Sequence, residues 1–250
     1  YGCSVSISEQ GGVQSRIEQN VKTLQDYLSN GYFLYGKYIR PRSEYEGRSL
    51  MGLPGVNTGF GGSAGTRTKD LLGLQRALMQ LVQSGILTKD DMSGAASTHE
   101  YLESHSMPSA WTRATILIRC NANIRGHSAM TRKVVDTMIE LLQSDIIPVI
   151  PLRGSLSASG DLMPLSYIAG AIQGNPDVHV RVGGKAGESR VIPAEQALKE
   201  RDIEPIVLGP KEGLSLINGT AAAAAVSTLG LHEAHHLAVL SQLLTALTSE

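Results

Sequence analysis

Ala158, Ser159 and Gly160 form a tripeptide that can become a cofactor without any outside ingredient. If the backbone kinks so that the Gly160 nitrogen attacks the carbonyl carbon of Ala158, a five-membered ring closes with loss of water. Dehydration of Ser159 removes a second water and leaves an exocyclic methylidene, an electron-poor carbon. Each residue type serves this chemistry. Glycine has no Cβ to block the approach and tolerates unusual φ/ψ, alanine leaves the attacked carbonyl open, and serine supplies the hydroxyl that departs. Such strain persists only where neighbours over-determine the backbone. Small residues in a row also make ordinary turns, so the flanks decide. The triplet follows the apolar run 146–152 and precedes Asp161-Leu162-Met163-Pro164-Leu165-Ser166-Tyr167-Ile168-Ala169-Gly170, so it is expected in a short loop held between buried segments.

A rival chemistry lies at His232-Glu233-Ala234-His235-His236, which fits His-Glu-x-x-His: two histidines one helical turn apart that could hold zinc, with a glutamate as general base. No third ligand is evident downstream, and packing or hydrogen bonding within a helical bundle is the plainer reading of these histidines. No metal is expected, and a zinc-dependent hydrolase stays open as the alternative from another class. Gly61 to Gly65 fits a nucleophile elbow and Gly59 to Ala64 a dinucleotide fingerprint, but both need a hydrophobic strand directly before the turn, and Val56-Asn57-Thr58 is too short and polar. A glycine-rich run does suit a mobile loop that closes over substrate.

The elements that must position the triplet read as helices. Val13, Ile17, Val21, Leu24 and Leu28 recur at helical spacing, as do Leu71, Leu74, Leu78 and Leu81. Two further helices are expected over 109–125 and 127–144, and a long one from Gly213 to Leu247, packed on most of its surface. Strand signals are local: 178–182 alternates, Gly183-Gly184 can turn, and 189–192 can return as the second strand of a hairpin. The 250 residues are 42% hydrophobic, enough for a sizeable core, and the formal charge of −1 is interspersed, so no nucleic-acid groove or polybasic membrane patch is expected. Cys3 and Cys120 give neither a disulfide framework nor metal spacing, and there is no signal peptide or spanning run, which together imply a cytoplasmic protein.

The wording Arg153-Gly154-Ser155-Leu156-Ser157-Ala158-Ser159-Gly160-Asp161-Leu162, with 119–129, 207–220 and 59–68, resembles the aromatic amino acid lyases, and most closely their fungal phenylalanine branch, over most of 56–250. The resemblance implies a mainly α fold, a helical-bundle ammonia-lyase fold with a small β-hairpin, of which this chain looks like the N-terminal half. It implies an N-terminal prosthetic-group domain over 1–212 and the start of the central helical bundle over 213–250. It also implies a 4-methylidene-imidazol-5-one group made from Ala158, Ser159 and Gly160, with Asn218 beside it as a catalytic and substrate-binding amide. Leu81 and Val82 match the pair that faces the substrate ring. Both are apolar, which favours an unsubstituted phenyl ring because a phenol or imidazole would lose its hydrogen-bond partner; ordinary helix core is the alternative for both.

Family members carry Tyr-Gly-Val-x-Thr-Gly-Phe-Gly, whose tyrosine is the catalytic base. Here Pro54-Gly55 precedes Val56-Asn57-Thr58-Gly59-Phe60-Gly61, while Tyr35-Gly36 lies upstream. Removing 37–55 restores the motif without a break, so Tyr35 is the expected base and 37–55 a non-native insertion. A retained intron would account for it, since Gly36-Lys37 can be encoded by GGTAAG; a surface loop is the plain reading, for the stretch shows neither helical nor strand period. The implied activity is conversion of L-phenylalanine to trans-cinnamate and ammonia by a homotetramer, the fragment alone being inactive. A phenylalanine 2,3-aminomutase using the same group, and a non-catalytic partner subunit, remain open.

Overall fold

Periodic apolar residues produce the helices that carry the fold in a computed structural model of the protein, which describes residues 5–7, 12–29, 33–35, 38–40, 56, 58–59, 63, 67–92, 104–155, 160–183 and 189–249. Helix α1 (Val13–Ser29) buries Val13 and Ile17, as its spacing predicts. A short antiparallel hairpin follows, β1 (Phe33–Tyr35) with β2 (Tyr38–Arg40). The second of these strands falls inside 37–55, where no regular structure is expected from the sequence; residues 41–55 lie outside the described residues.

Helix α2 (Leu71–Val82) starts on Asp70, whose Oδ1 accepts from the Gly73 N–H at 2.9 Å. Its buried residues are Gln75, Leu78 and Met79, so the inward face is rotated from the leucine stripe that the sequence suggests. The cause is a polar contact: Gln75 Oε1 accepts from the Gly213 N–H at 3.1 Å, which draws that side chain inward. After the single turn α3 (Lys89–Met92), helices α4 (Ser109–Asn123) and α5 (Arg132–Gln143) pack together. The second of these starts later than its apolar pattern predicts. Gly126 and Ala129 have φ of +75° and +55°, and the chain between them is held by Ser215 Oγ donating to Ser128 O, so the helix cannot begin before Arg132.

The apolar run at 146 forms β3 (Ile146–Pro148), which pairs antiparallel with β4 (His179–Gly183), and this strand pairs with β5 (Ser189–Pro193). The expected hairpin is therefore part of a three-stranded sheet. Helix α6 (Met163–Ile172) is buried at every residue and forms the centre of the core, with α7 (Ala194–Glu200) and α8 (Glu212–Ile217) against it. Cys120 is a free, buried thiol that burial pushes up to about 12, so it stays protonated; Cys3 lies outside the described residues.

The long helix expected from Gly213 is broken. It is α8, a turn at 218–220, and α9 (Ala221–Ser249). Only Ala221, Ala222 and Ala225 of α9 are buried, which corrects the expectation that most of its surface is packed: Leu231, Leu237, Leu243 and Leu247 are each more than half exposed. By length and composition the run Glu212–Ser249 could cross a bilayer. Its polar residues His232, Glu233, His235, His236 and Gln242 suit a bundle better.

A polar knot leads into the triplet's loop. Asp91 accepts from Thr88 Oγ1 at 2.6 Å, Thr88 N–H at 2.9 Å, Ser104 Oγ at 3.0 Å and His105 N–H at 3.1 Å. Burial disfavours its charge, but these hydrogen bonds outweigh burial and hold the carboxyl at about 2, below the usual 3.8. Because the folded value is the lower one, the stabilisation is complete above about pH 4 and is lost as pH falls toward 2. Asp91→Asn should lower the thermal midpoint at neutral pH, and the two midpoints should converge between pH 4 and pH 2; parallel curves across that window would exclude this role.

Candidate active site

Buried chain up to Pro151 and from Met163 brackets the triplet's loop, with Leu152 to Gly154 exposed between. Val149 and Ile150 are fully buried, and their neighbours are laced to both sides: Val149 N–H donates to His179 O at 2.9 Å, Met107 N–H to Ile150 O at 2.7 Å and Leu152 N–H to His105 O at 2.7 Å. On the far side lies the buried α6. The Ser155 hydroxyl donates to Asp161 Oδ1, and that same oxygen accepts the Met163 N–H at 3.2 Å. One carboxylate oxygen thus closes the loop across its base and satisfies a free N–H at the start of α6.

Gly160 has φ of +123°, a region that only glycine occupies without strain, as the ring chemistry requires. A Cβ built on it would lie 3.8 Å from Asn218 Oδ1 and 3.9 Å from Asn218 Nδ2, so the asparagine amide adjoins the triplet's last residue. The structure thus brings Gly160 and Asn218 side by side. Ala158 and Ser159 lie outside the described residues. For Tyr35 the main chain is described, at the end of β1 opposite Tyr38, and its side chain is not.

Leu81 and Val82 close α2, and the segment that follows is fastened to both flanks of the loop. Gln83 Nε2 donates to Ser166 O at 2.8 Å, Gly85 N–H to the Tyr167 hydroxyl at 3.2 Å, and Ile86 N–H to Arg153 O at 3.1 Å. Gly85 has no room for a side chain: a Cβ there would meet Pro151 at 2.5 Å and Met163 Sδ at 2.8 Å. Leu81 is 64% exposed in this chain, whereas Val82 packs partly against the core. Burial raises the Tyr167 hydroxyl above its usual pKa, despite the Gly85 N–H, so it remains a neutral phenol.

Asn218 stands on a buried platform. Leu216 and Ile217 are fully buried, and the Asn218 N–H donates to Leu214 O at 3.0 Å, which ends α8. Beneath it, the 7% exposed Arg119 of α4 donates from Nε to Leu216 O at 2.8 Å and from Nη2 to Asn218 O at 2.8 Å, with a further bond to Ser215 O. Burial depresses the Arg119 pKa, yet an arginine stays protonated.

His232 and His236 lie together on exposed α9, ring centroids 4.2 Å apart, and among the described residues no group of three His, Cys, Asp or Glu side chains could hold a metal. Sequence reading assigned no part to Arg119, Ser155, Asp161 or Gln83. The available signals were a charged residue on a buried stripe of α4 and a hydroxyl and a carboxylate that bracket the triplet.

A model of the aromatic amino acid lyase family matches residues 53–250. A phenylalanine ammonia-lyase of Aspergillus hancockii is 49% identical over 250 residues, 100% of this chain and 32% of the relative. A phenylalanine aminomutase (L-beta-phenylalanine forming) of Talaromyces islandicus is 44% identical over 239 residues, 96% of this chain and 30% of the relative. The crystal structure of phenylalanine ammonia-lyase from Rhodosporidium toruloides matches with a TM-score of 0.70 and 33% identity, covering 96% of this chain and 30% of that one. The chain spans about a third of the length of the curated relatives it matches, less than the half that the resemblance implies. With the helical fold shared and nearly four-fifths of the sequence matched, the chain belongs to the aromatic amino acid lyases.

Proposed function

We propose that this chain is the prosthetic-group part of an enzyme that converts L-phenylalanine to trans-cinnamate and ammonia. The observation that carries the reading is Gly160 at φ +123° with the Asn218 amide beside it, in a loop whose base is closed by Ser155 and Asp161. These residues fit a 4-methylidene-imidazol-5-one formed from Ala158, Ser159 and Gly160. Once formed, the ring supplies an electrophile for the substrate amine. Tyr35 takes the β-proton, for which its phenol, ordinarily near pKa 10, must be lowered by donors or positive charge. Asn218 holds the substrate carboxylate or the ring oxygen by hydrogen bonds, and Leu81 and Val82 offer an apolar wall to the phenyl ring.

The aminomutase relative supports a second reading, in which the amine is retained and ends on the β-carbon. Product analysis separates the two: cinnamate for the lyase, β-phenylalanine for the mutase. For the complete protein a homotetramer is the state that the family resemblance implies. Removal of 37–55 restores Tyr-Gly-Val-x-Thr-Gly-Phe-Gly, which supports that stretch as an interruption between Tyr35 and its glycine loop; mature transcripts should lack those codons, and their presence throughout would refute this.

The complete protein, expressed without 37–55, should release cinnamate, followed by ultraviolet absorbance, and weigh two water molecules less than its sequence. Ser159→Ala should abolish both signals, and a wild-type rate from that variant would overturn the assignment. Leu81→His should raise activity on L-tyrosine relative to L-phenylalanine by about tenfold or more, because the phenol gains a partner; an unchanged ratio would remove Leu81 from the substrate wall.

A further inference from the structure

Arg119 is a buried cation whose described hydrogen bonds all go to main-chain carbonyls. Among the described residues no carboxylate pairs with it. Its guanidinium bonds the oxygens of Ser215, Leu216 and Asn218, so it grips the end of α8 on both sides of Ile217. It also explains the next residue: a Cβ on Gly219 would come within 2.2 Å of Nη1, so the main chain at 219 lies directly against the guanidinium. Residues 215–217 are buried, while Asn218 itself is exposed and turns its amide toward Gly160.

We propose that Arg119 is a positioning residue that fixes the main chain at 216–219 and thereby aims the Asn218 amide at the ring-forming triplet. A planar fork suits this task. It meets several carbonyls at set angles, which a lysine ammonium cannot reproduce with one flexible point charge. A small rotation of the main chain at 218 would swing the amide away from Gly160, and misplacement on that scale is costly to catalysis. The proposal rests on the lyase reading for its kinetic part, and on geometry alone for its main-chain part.

The test uses the complete protein as wild type, Arg119→Lys, Asn218→Ala and the double variant. Hydrogen exchange is the first readout. Arg119→Lys should speed amide exchange across 214–221 by about tenfold while leaving α6 unchanged; exchange within about twofold of wild type would overturn the proposal. The second readout is kcat per subunit that carries the two-water mass deficit. Arg119→Lys should lower it by about tenfold, and the double variant should be no slower than Asn218→Ala, because the arginine acts through that amide. Multiplying losses would show an independent structural role and overturn the proposal. If Arg119→Lys fails to fold, Gly219→Ala pushes a Cβ at the guanidinium and should give the same exchange and kinetic pattern; normal values in that variant refute the claim. Should wild type yield neither cinnamate nor β-phenylalanine, the lyase reading falls, and the exchange readout alone decides the placement.

Discussion

One guanidinium, that of Arg119, ties α4 to the end of α8. Withdrawing a charge from water costs several kcal/mol unless good geometry repays it. Arg119 is repaid by carbonyls that the end of a helix leaves without partners, so its burial and the break between α8 and α9 depend on each other. Without the break there would be no free oxygens for the cation, and without the cation the buried carbonyls would lack donors. The position of Asn218 follows from that mutual need.

The triplet's loop is constrained by the same logic from the opposite side. Ring closure asks a main-chain nitrogen to approach a carbonyl carbon two residues back, which an unrestrained chain rarely does. Here β3 and α6 hold the ends in the core, Ser155 and Asp161 draw the base together, and Gly85 and Gly154 let the chain after α2 lie flat against it. Gly154, at φ +98°, would place a Cβ 3.0 Å from the Gly85 Cα, so the two glycines make one close approach. Surroundings held this firmly are the condition under which a strained backbone, such as ring closure demands, can persist.

Local chemistry was legible in the sequence, and long-range polar contacts were not. Periodicity located α1, α2 and α4 because burial of one helical stripe repeats within the helix itself. It misjudged the face of α2, since Gln75 turns inward to meet Gly213, 138 residues away. It began α5 too early, since the left-handed residues at 126 and 129 are set by contacts with α1 and α8 rather than by their neighbours. For the proposed site, residue type and family resemblance singled out the triplet, Asn218 and the Leu81–Val82 pair, and of these the structure sets Gly160 beside Asn218. Arg119 was not singled out, because a lone arginine on an amphipathic helix ordinarily lies in water, and its partners are main-chain atoms that leave no mark on the sequence.

Burial stops at Ala225 on α9, and beyond it the helix offers leucine after leucine to solvent. An uncovered stripe of this kind is adhesive before it is useful. As a polypeptide by itself this chain would offer that stripe to any apolar surface it met, and solubility rather than folding would limit how concentrated a sample of it can be.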